Sequence, residues 1–238
     1  KESQEYIQGL KQATGEEKYY QDKGITPSTE GGVMVDARGN IVVPLVDIDG
    51  QHWSHVTLQA NGFKQNLKDA RMQGTFHVIG AANHEAITGA ILLVEGYSTG
   101  AAVNEATGLP VVCCTTANNL ENVAVAMRER HPDQPILILG DNDEHLIAEG
   151  KQNQGKVRAL AAAAAVDGHA LLPDFGNQAL DKSRTDYLDM KREVGLERLH
   201  DYIAAKLSTI EAEEALEERE NEQVEQENSC EAAEEIER

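Results

Sequence analysis

The chain has 238 residues, 40% of them hydrophobic, and a formal net charge of −20 at pH 7. This length is enough for one elaborated domain, or for a domain of ordinary size and a smaller one. No apolar run approaches the roughly 18 residues of a membrane span, and no signal peptide is recognisable, so no membrane partner is expected. The three cysteines form no Cys-x-x-Cys pair or disulfide framework, which favours a reducing, cytoplasmic setting. Since the sequence starts at Lys1 rather than Met, it is compatible with a piece of a larger protein.

The negative charge is concentrated at the C-terminal end. Residues 211–238 contain 13 Glu and 2 Arg, which gives −11 of the total, and the rest of the chain still carries −9. Non-specific affinity for nucleic acids comes mostly from Lys and Arg. We therefore expect weak binding of nucleic acid by this chain, with help from further domains or partner proteins.

The first third of the chain is predicted to be helical and then β-rich. Residues 3–18 place Tyr6, Ile7 and Leu10 on one helical face. Residues 33–79 read as short strands separated by Asp-Gly and Asn-Gly turns. Within them, His52-x-x-His55 has the spacing of a zinc pair, but residues three apart on a regular strand point to opposite faces, so no zinc site is predicted there.

Residues 91–143 alternate apolar runs with helical segments. The runs Ile91–Val94, Pro110–Cys114 and Ile136–Leu139 are separated by predicted helices, and His169–Leu172 follows as a fourth strand. Such β-α units with short links predict parallel strands joined by right-handed crossovers. The carboxyl ends of these strands are therefore expected at one edge of a sheet.

Three acidic residues stand at these strand ends: Glu95, Asp141 and Asp143. Open α/β sheets bind ligands at this edge. Because the three carboxylates would repel one another, a hard divalent cation such as Mg²⁺ is the simplest partner for them. The sequence thus predicts a metal site there.

A different chemistry is encoded in the same stretch. Residues 96–100 match G-x-S-x-G, the nucleophile elbow of α/β-hydrolases, with Ser98 as the nucleophile and Asp141 and His169 following in hydrolase order. This pattern arises easily by chance, and it gives Glu95 and Asp143 no role. A serine hydrolase is kept as a minor alternative.

The C-terminal part begins as an amphipathic helix. Leu199, Ile203, Leu207 and Ile210 recur at helical spacing within residues 196–210. Beyond Ile210 glutamates multiply and apolar residues become rare, which predicts a solvated extension, a frayed helix or disorder.

The order E-G, helix, strand, helix, D-x-D resembles the Toprim domain, the catalytic module of bacterial-type primases, topoisomerases, recombination proteins and some nucleases. Leu92–Ala102 and Glu105–Pro110 look most like the primases of conjugative plasmids and related mobile elements. Tyr19–Ile25, Ile41–Gln51 and Thr185–Asp189 are also similar to that group. In the last segment Leu188 stands where Asn is usual, so neither Asp186 nor Asp189 is predicted to contact a metal.

The resemblance implies an α/β fold: a Toprim-type parallel sheet of about four strands flanked by helices, preceded by a small mixed β-rich subdomain and followed by a C-terminal helix. The expected segments are an N-terminal helical segment (1–30), the β-rich subdomain (31–85), the Toprim domain (86–182), a C-terminal helical segment (183–210) and the acidic tail (211–238).

The implied function is that of a DNA primase core, which makes short RNA primers on single-stranded DNA from ribonucleoside triphosphates in plasmid conjugation or mobile-element replication. The implied cofactor is Mg²⁺, with Mn²⁺ as a substitute. A non-catalytic nucleic-acid-binding module of a larger conjugation protein is the other alternative. The catalytic and metal-binding residues would be Glu95, Asp141 and Asp143, with Glu95 either a metal ligand or an acid-base group. Nucleotide or template would contact Lys64, Lys68, Arg71, Ser98 and His145. The alternatives are a solvated basic patch for the first three, a helix cap for Ser98 and an exposed loop histidine for His145.

Overall fold

The computed structural model describes residues 2–176 and 181–236. The chain divides into two compact units, Lys1–His200 and Asp201–Arg238. None of the helices in the described part of the chain combines the length and the apolar character that a membrane span requires.

The first sheet of the larger unit is a five-stranded antiparallel meander whose strands are paired in chain order. Its strands are β1 (Lys11–Gln12), β2 (Met34–Val35), β3 (Ile41–Val46), β4 (His52–Leu58) and β5 (Lys64–Asn66).

Two short helices, α1 (Glu2–Gln8) and α2 (Lys18–Lys23), flank β1. The predicted continuous helix over residues 3–18 is therefore wrong beyond Gln8. The cause is tertiary, because β1 takes up hydrogen bonds to β2. Helix α2 ends at Gly24, whose left-handed φ of 66° is easily adopted only by glycine.

The second sheet also has five strands, in the spatial order β10-β9-β7-β8-β6. They are β6 (His77–Ile79), β7 (Ile91–Val94), β8 (Val111–Cys113), β9 (Ile136–Leu139) and β10 (His169–Leu171). The last four are parallel, as the sequence predicts. Strand β6 was expected to close the β-rich region, but it pairs antiparallel with β8 and forms an edge of this sheet.

Helices cover both faces of the second sheet, and all residues of β7 and β9 are buried. The helices are α3 (Tyr97–Thr107), α4 (Leu120–Arg130), α5 (Glu144–Ala148) and α6 (Gln154–Ala165). Burial on both faces explains why these strands read as continuous apolar runs rather than as alternating ones.

The last helix, α7 (Tyr187–Ile236), is broken at Gly195, where φ is 83° and ψ is 171°. It continues well beyond Ile210, the predicted end of the amphipathic helix. Glu, Ala and Gln have high helix propensity, which outweighs the repulsion between neighbouring glutamates. The last two residues of the predicted tail, 237 and 238, lie outside the described residues.

Candidate active site

Glu95 follows β7, and Asp141 and Asp143 follow β9. These two strands are adjacent and parallel, with Val94 opposite Leu139. The structure therefore brings the three carboxylates to the same sheet edge. All three side chains remain partly exposed.

A fourth carboxylate, that of Asp186, joins this edge from the segment before α7. Its Oδ2 accepts a hydrogen bond from Thr99 Oγ1 at 3.0 Å, and its Oδ1 accepts one from the Asp189 amide at 2.9 Å. The Asn142 amide donates to the Thr185 carbonyl at 2.7 Å, which ties this segment to the loop after β9. Sequence reasoning set Asp186 aside because of Leu188, although the T-D-x-x-D pattern was visible.

The loop that carries Asp141 and Asp143 is held by buried amides. Asn142 Nδ2 donates to the Pro173 carbonyl at 3.1 Å, and Asn142 Oδ1 accepts from Asn153 Nδ2 at 2.9 Å. Asn153 Oδ1 in turn accepts from the Asp143 amide at 3.2 Å. The backbone between the two aspartates is thereby fixed on both sides.

Close packing of α6 against this loop requires glycine at Gly155. A Cβ at that position would lie 2.7 Å from the carbonyl oxygen of Asp141 and 2.9 Å from its Cβ. The start of α6 therefore sets the position of Asp141 directly.

The carboxylates strongly affect one another. Burial, followed by the charges of Glu95, Asp186 and Asp143, raises the pKa of Asp141 well above its usual range. Burial also raises the pKa of Glu95, although the Lys64 ammonium and a hydrogen bond from the Ala117 amide oppose this shift. Like charges near one another make ionisation costly, and a bound cation would remove that cost.

The site suits a hard cation. Asp141 Oδ1 is buried and has no hydrogen-bond partner among the described residues. Oxygen donors in this number are the ligands that Mg²⁺ prefers. The oxygens of Glu95, Asp141 and Asp143 do not all lie within 4.8 Å of one another, so water would have to complete the coordination of an ion held there.

The predicted cationic contacts divide into two groups. Lys64 Nζ donates to the Thr115 carbonyl at 2.5 Å, and its charge acts on Glu95, so Lys64 belongs to the site. Lys68 lines a different cavity, next to Asp36 and Arg38.

Arg71 also has its contacts elsewhere. Its guanidinium stacks on Trp53, 4.6 Å from the ring centre, and lies 3.5 Å from Asp47 Oδ2. The structure therefore does not bring Lys68 and Arg71 to the carboxylates.

Ser98 lies in the first turn of α3, near the Tyr19 hydroxyl. A hydrolase triad is not assembled around it. His169 starts β10 and pairs with Leu137, four residues before Asp141, and at about 3.3 Å per residue this places it far from the carboxyl edge. His145 lies in α5 beside the loop, and its buried Nδ1 has no hydrogen-bond partner within the described chain.

Four carboxylates and a lysine thus lie together at the carboxyl edge of four parallel strands of an α/β protein, a donor set that would suit a divalent cation. Residues 90–197 match the family profile described as the Toprim domain. This part of the chain is a Toprim domain.

Two proteins of Escherichia coli named DNA primase TraC are similar to the chain. One is 39% identical over 158 residues, covering 66% of this chain and 11% of the relative, and the other is 35% identical over 203 residues, covering 83% and 19%. The chain thus spans about a tenth to a fifth of the length of these relatives. The fold is similar to that of a DnaG primase catalytic domain solved with single-stranded DNA, with a TM-score of 0.51 and 13% identity over 85% of this chain and 77% of that one.

Proposed function

We propose that the chain is the catalytic core of a DNA primase, a nucleotidyltransferase that joins ribonucleotides on a single-stranded DNA template. The observation that carries the proposal is the convergence of Glu95, Asp141 and Asp143 at one edge of a Toprim sheet. The similarity to proteins named DNA primase supports the same function.

The side chains at this edge would have different roles in the reaction. Asp141 and Asp143 would hold Mg²⁺ or Mn²⁺, with Asp186 beside them. The bound ion would lower the pKa of the attacking 3′-hydroxyl and neutralise charge on the α-phosphate and the leaving pyrophosphate. Glu95 would either bind the ion or accept the hydroxyl proton, and a raised pKa makes its carboxylate a stronger base.

The surrounding residues would bind substrate. Lys64 would pair with phosphate oxygens, since its ammonium already lies near the carboxylates. Ser98 and His145 would contact nucleotide at the same edge. The antiparallel sheet of residues 11–66 would act as the small subdomain next to the Toprim domain, and the other domains of a longer protein would supply template affinity.

The test is Mg²⁺-dependent incorporation of labelled ribonucleotides on single-stranded DNA by Asp141→Asn and Asp143→Asn. Each change removes a charged ligand without changing its size, so we expect primer synthesis to be lost. The matched control is Asp167→Asn, an exposed aspartate at a left-handed turn (φ 48°) that Asn tolerates. Near-normal synthesis by both site variants would contradict the proposal, and template binding without synthesis by the unaltered protein would favour a non-catalytic binding module.

A further inference from the structure

A second group of metal-ligating side chains lies outside the carboxylate edge. His84 and Glu85 follow β6, and His131 is the residue that ends α4. Among the side chains that the structure describes, they are the only three of His, Cys, Asp or Glu whose ligand atoms all lie within 4.8 Å of one another. His84 is buried, His131 is partly exposed and Glu85 is exposed.

The hydrogen bonds of His84 fix which of its nitrogens is free to bind a metal. Its Nε2 lies 2.8 Å from the carbonyl oxygen of Ile48. A carbonyl only accepts hydrogen bonds, so Nε2 carries the proton, and the lone pair of the neutral ring is on Nδ1. That Nδ1 lies 2.9 Å from Nε2 of His131, which therefore donates a hydrogen bond to it, and a metal that binds both nitrogens would require this proton to move to Nδ1 of His131.

This is the arrangement found around metal-bound histidines. A ligating imidazole normally donates its other N–H to a carbonyl or carboxylate, which fixes the tautomer and the ring orientation. Here the Ile48 carbonyl has that role for His84.

The local charge also favours a cation. Arg130 lies between two carboxylates, donating to Glu85 Oε1 at 3.0 Å and to Asp49 Oδ1 at 2.6 Å. Two negative charges against one positive leave a net charge of −1 beside the two neutral imidazoles. Glu85 Oε1 also lies 3.9 Å from His84 Nε2, so the carboxylate is beside the two imidazoles while it keeps its bond to Arg130.

We propose that His84, His131 and Glu85 form a zinc site, with water as the fourth ligand. Two imidazole nitrogens and one carboxylate oxygen are a donor set that Zn²⁺ accepts. Two nitrogens that each lie about 2.0–2.1 Å from a tetrahedral ion are about 3.3 Å apart. The two imidazole nitrogens are 2.9 Å apart here, so the half-exposed His131 needs to move by only about 0.4 Å.

The site would join three parts of the larger unit. Its ligands come from the turn after β6 and from the end of α4, and its hydrogen-bonded carbonyl belongs to the loop after β3. Zinc would therefore fix the loop of the antiparallel sheet to the Toprim domain, at a place separate from the carboxylate edge.

The test is titration of the metal-stripped, untagged chain with Zn²⁺ against a chromophoric chelator, in millimolar Mg²⁺ so that the carboxylate edge is saturated. We expect one tight site. Its affinity should fall at least roughly tenfold in His131→Gln and in Glu85→Gln, since even the loss of an outer partner has that effect. His200→Gln is the matched control, because this exposed histidine contacts only the Ala106 carbonyl in the described chain.

Thermal unfolding provides the second readout. Zn²⁺ should raise the unfolding temperature of the unaltered chain and of His200→Gln, but not that of His131→Gln, because a ligand stabilises only a folded state that binds it. Circular dichroism of each variant shows whether it is folded. Equal zinc affinity in His131→Gln and the unaltered chain, or the absence of a tight site in the unaltered chain, would overturn the proposal. The contact between His84 and His131 would then be only a hydrogen bond between two imidazoles.

Discussion

The raised pKa of Asp141 means that the ionised carboxylate is costly in the folded chain. A group whose pKa is higher in the folded state stabilises the fold at pH values below its unfolded pKa, and this stability is lost as pH rises through the folded pKa. Without divalent metal, the chain should therefore become less stable as pH rises above the usual carboxyl range. Bound Mg²⁺ should reverse the loss because it favours the ionised form.

Asp141→Asn tests this directly. The amide cannot ionise, so we expect the variant to be more stable than the unaltered chain at pH 7 in EDTA, by ~0.5–2 kcal/mol, the usual gain from relieving a strained functional site. Its unfolding temperature should also depend less on pH and on Mg²⁺. Thermal unfolding across pH with EDTA or Mg²⁺ measures both effects, and a destabilised Asp141→Asn at neutral pH would show that the carboxylate is not under electrostatic strain.

At the scale of elements, the contact between α6 and the loop after β9 positions the site. Gly155→Ala places a Cβ 2.7 Å from the Asp141 carbonyl, so either the helix or the loop must shift. We expect a loss of about 1–3 kcal/mol in stability, typical of overpacking. Primer synthesis should fall on the order of 100-fold, the effect of displacing a reacting group by about 1 Å.

The matched control is Gly9→Ala, which should be tolerated. A Cβ at Gly9 would meet its nearest atom at 3.5 Å, and the backbone there is not left-handed. Both variants are compared by chemical unfolding and by primer synthesis. Equal activity of Gly155→Ala and the unaltered chain would mean that α6 does not position Asp141.

The parallel direction of the strands and the acidic edge could be predicted from the sequence because apolar runs joined by helices through short links leave few arrangements. Contacts between segments that are remote in sequence could not be predicted. β6 pairs with β8 rather than with its neighbours in the chain, and nothing local specifies this. Asp186 reaches the site only because Thr99 and the loop after β9 hold it there.

The two histidines of β4 show how a local irregularity overturns a correct rule. His52 pairs with Val46, but Ser54 pairs with Leu45, so Trp53 is an extra residue in the strand. Such a bulge shifts the alternation by one. His52 and His55 thus share a partner, Ser3 Oγ, at 2.9 and 2.7 Å, and the prediction that they face opposite ways is wrong.

At the scale of the whole molecule, charge is distributed unevenly, with −11 of the net −20 in residues 211–238. Deletion of residues 211–238 should leave the unfolding temperature nearly unchanged, because the helix there presents mostly exposed side chains up to residue 220. It should strengthen binding of single-stranded DNA at low salt, since less negative charge repels the phosphates, and the gain should shrink as salt screens it.

Fluorescence anisotropy at several salt concentrations, with thermal unfolding of the same samples, measures this. A truncated chain that unfolds at a much lower temperature would show that the tail contributes to the fold. Unchanged DNA affinity at low salt would show that its charge has no influence on template binding.

The most direct measurement of the central claim compares Glu95→Gln with Ser98→Ala in Mg²⁺-dependent primer synthesis and in ester hydrolysis. The carboxylate edge predicts that Glu95→Gln abolishes primer synthesis. Ser98→Ala should cost only about 1 kcal/mol of stability or a modest part of the activity, because the loss of one hydroxyl hydrogen bond or helix cap has about that effect. An active Glu95→Gln beside an inactive Ser98→Ala would contradict the account and identify a serine nucleophile instead.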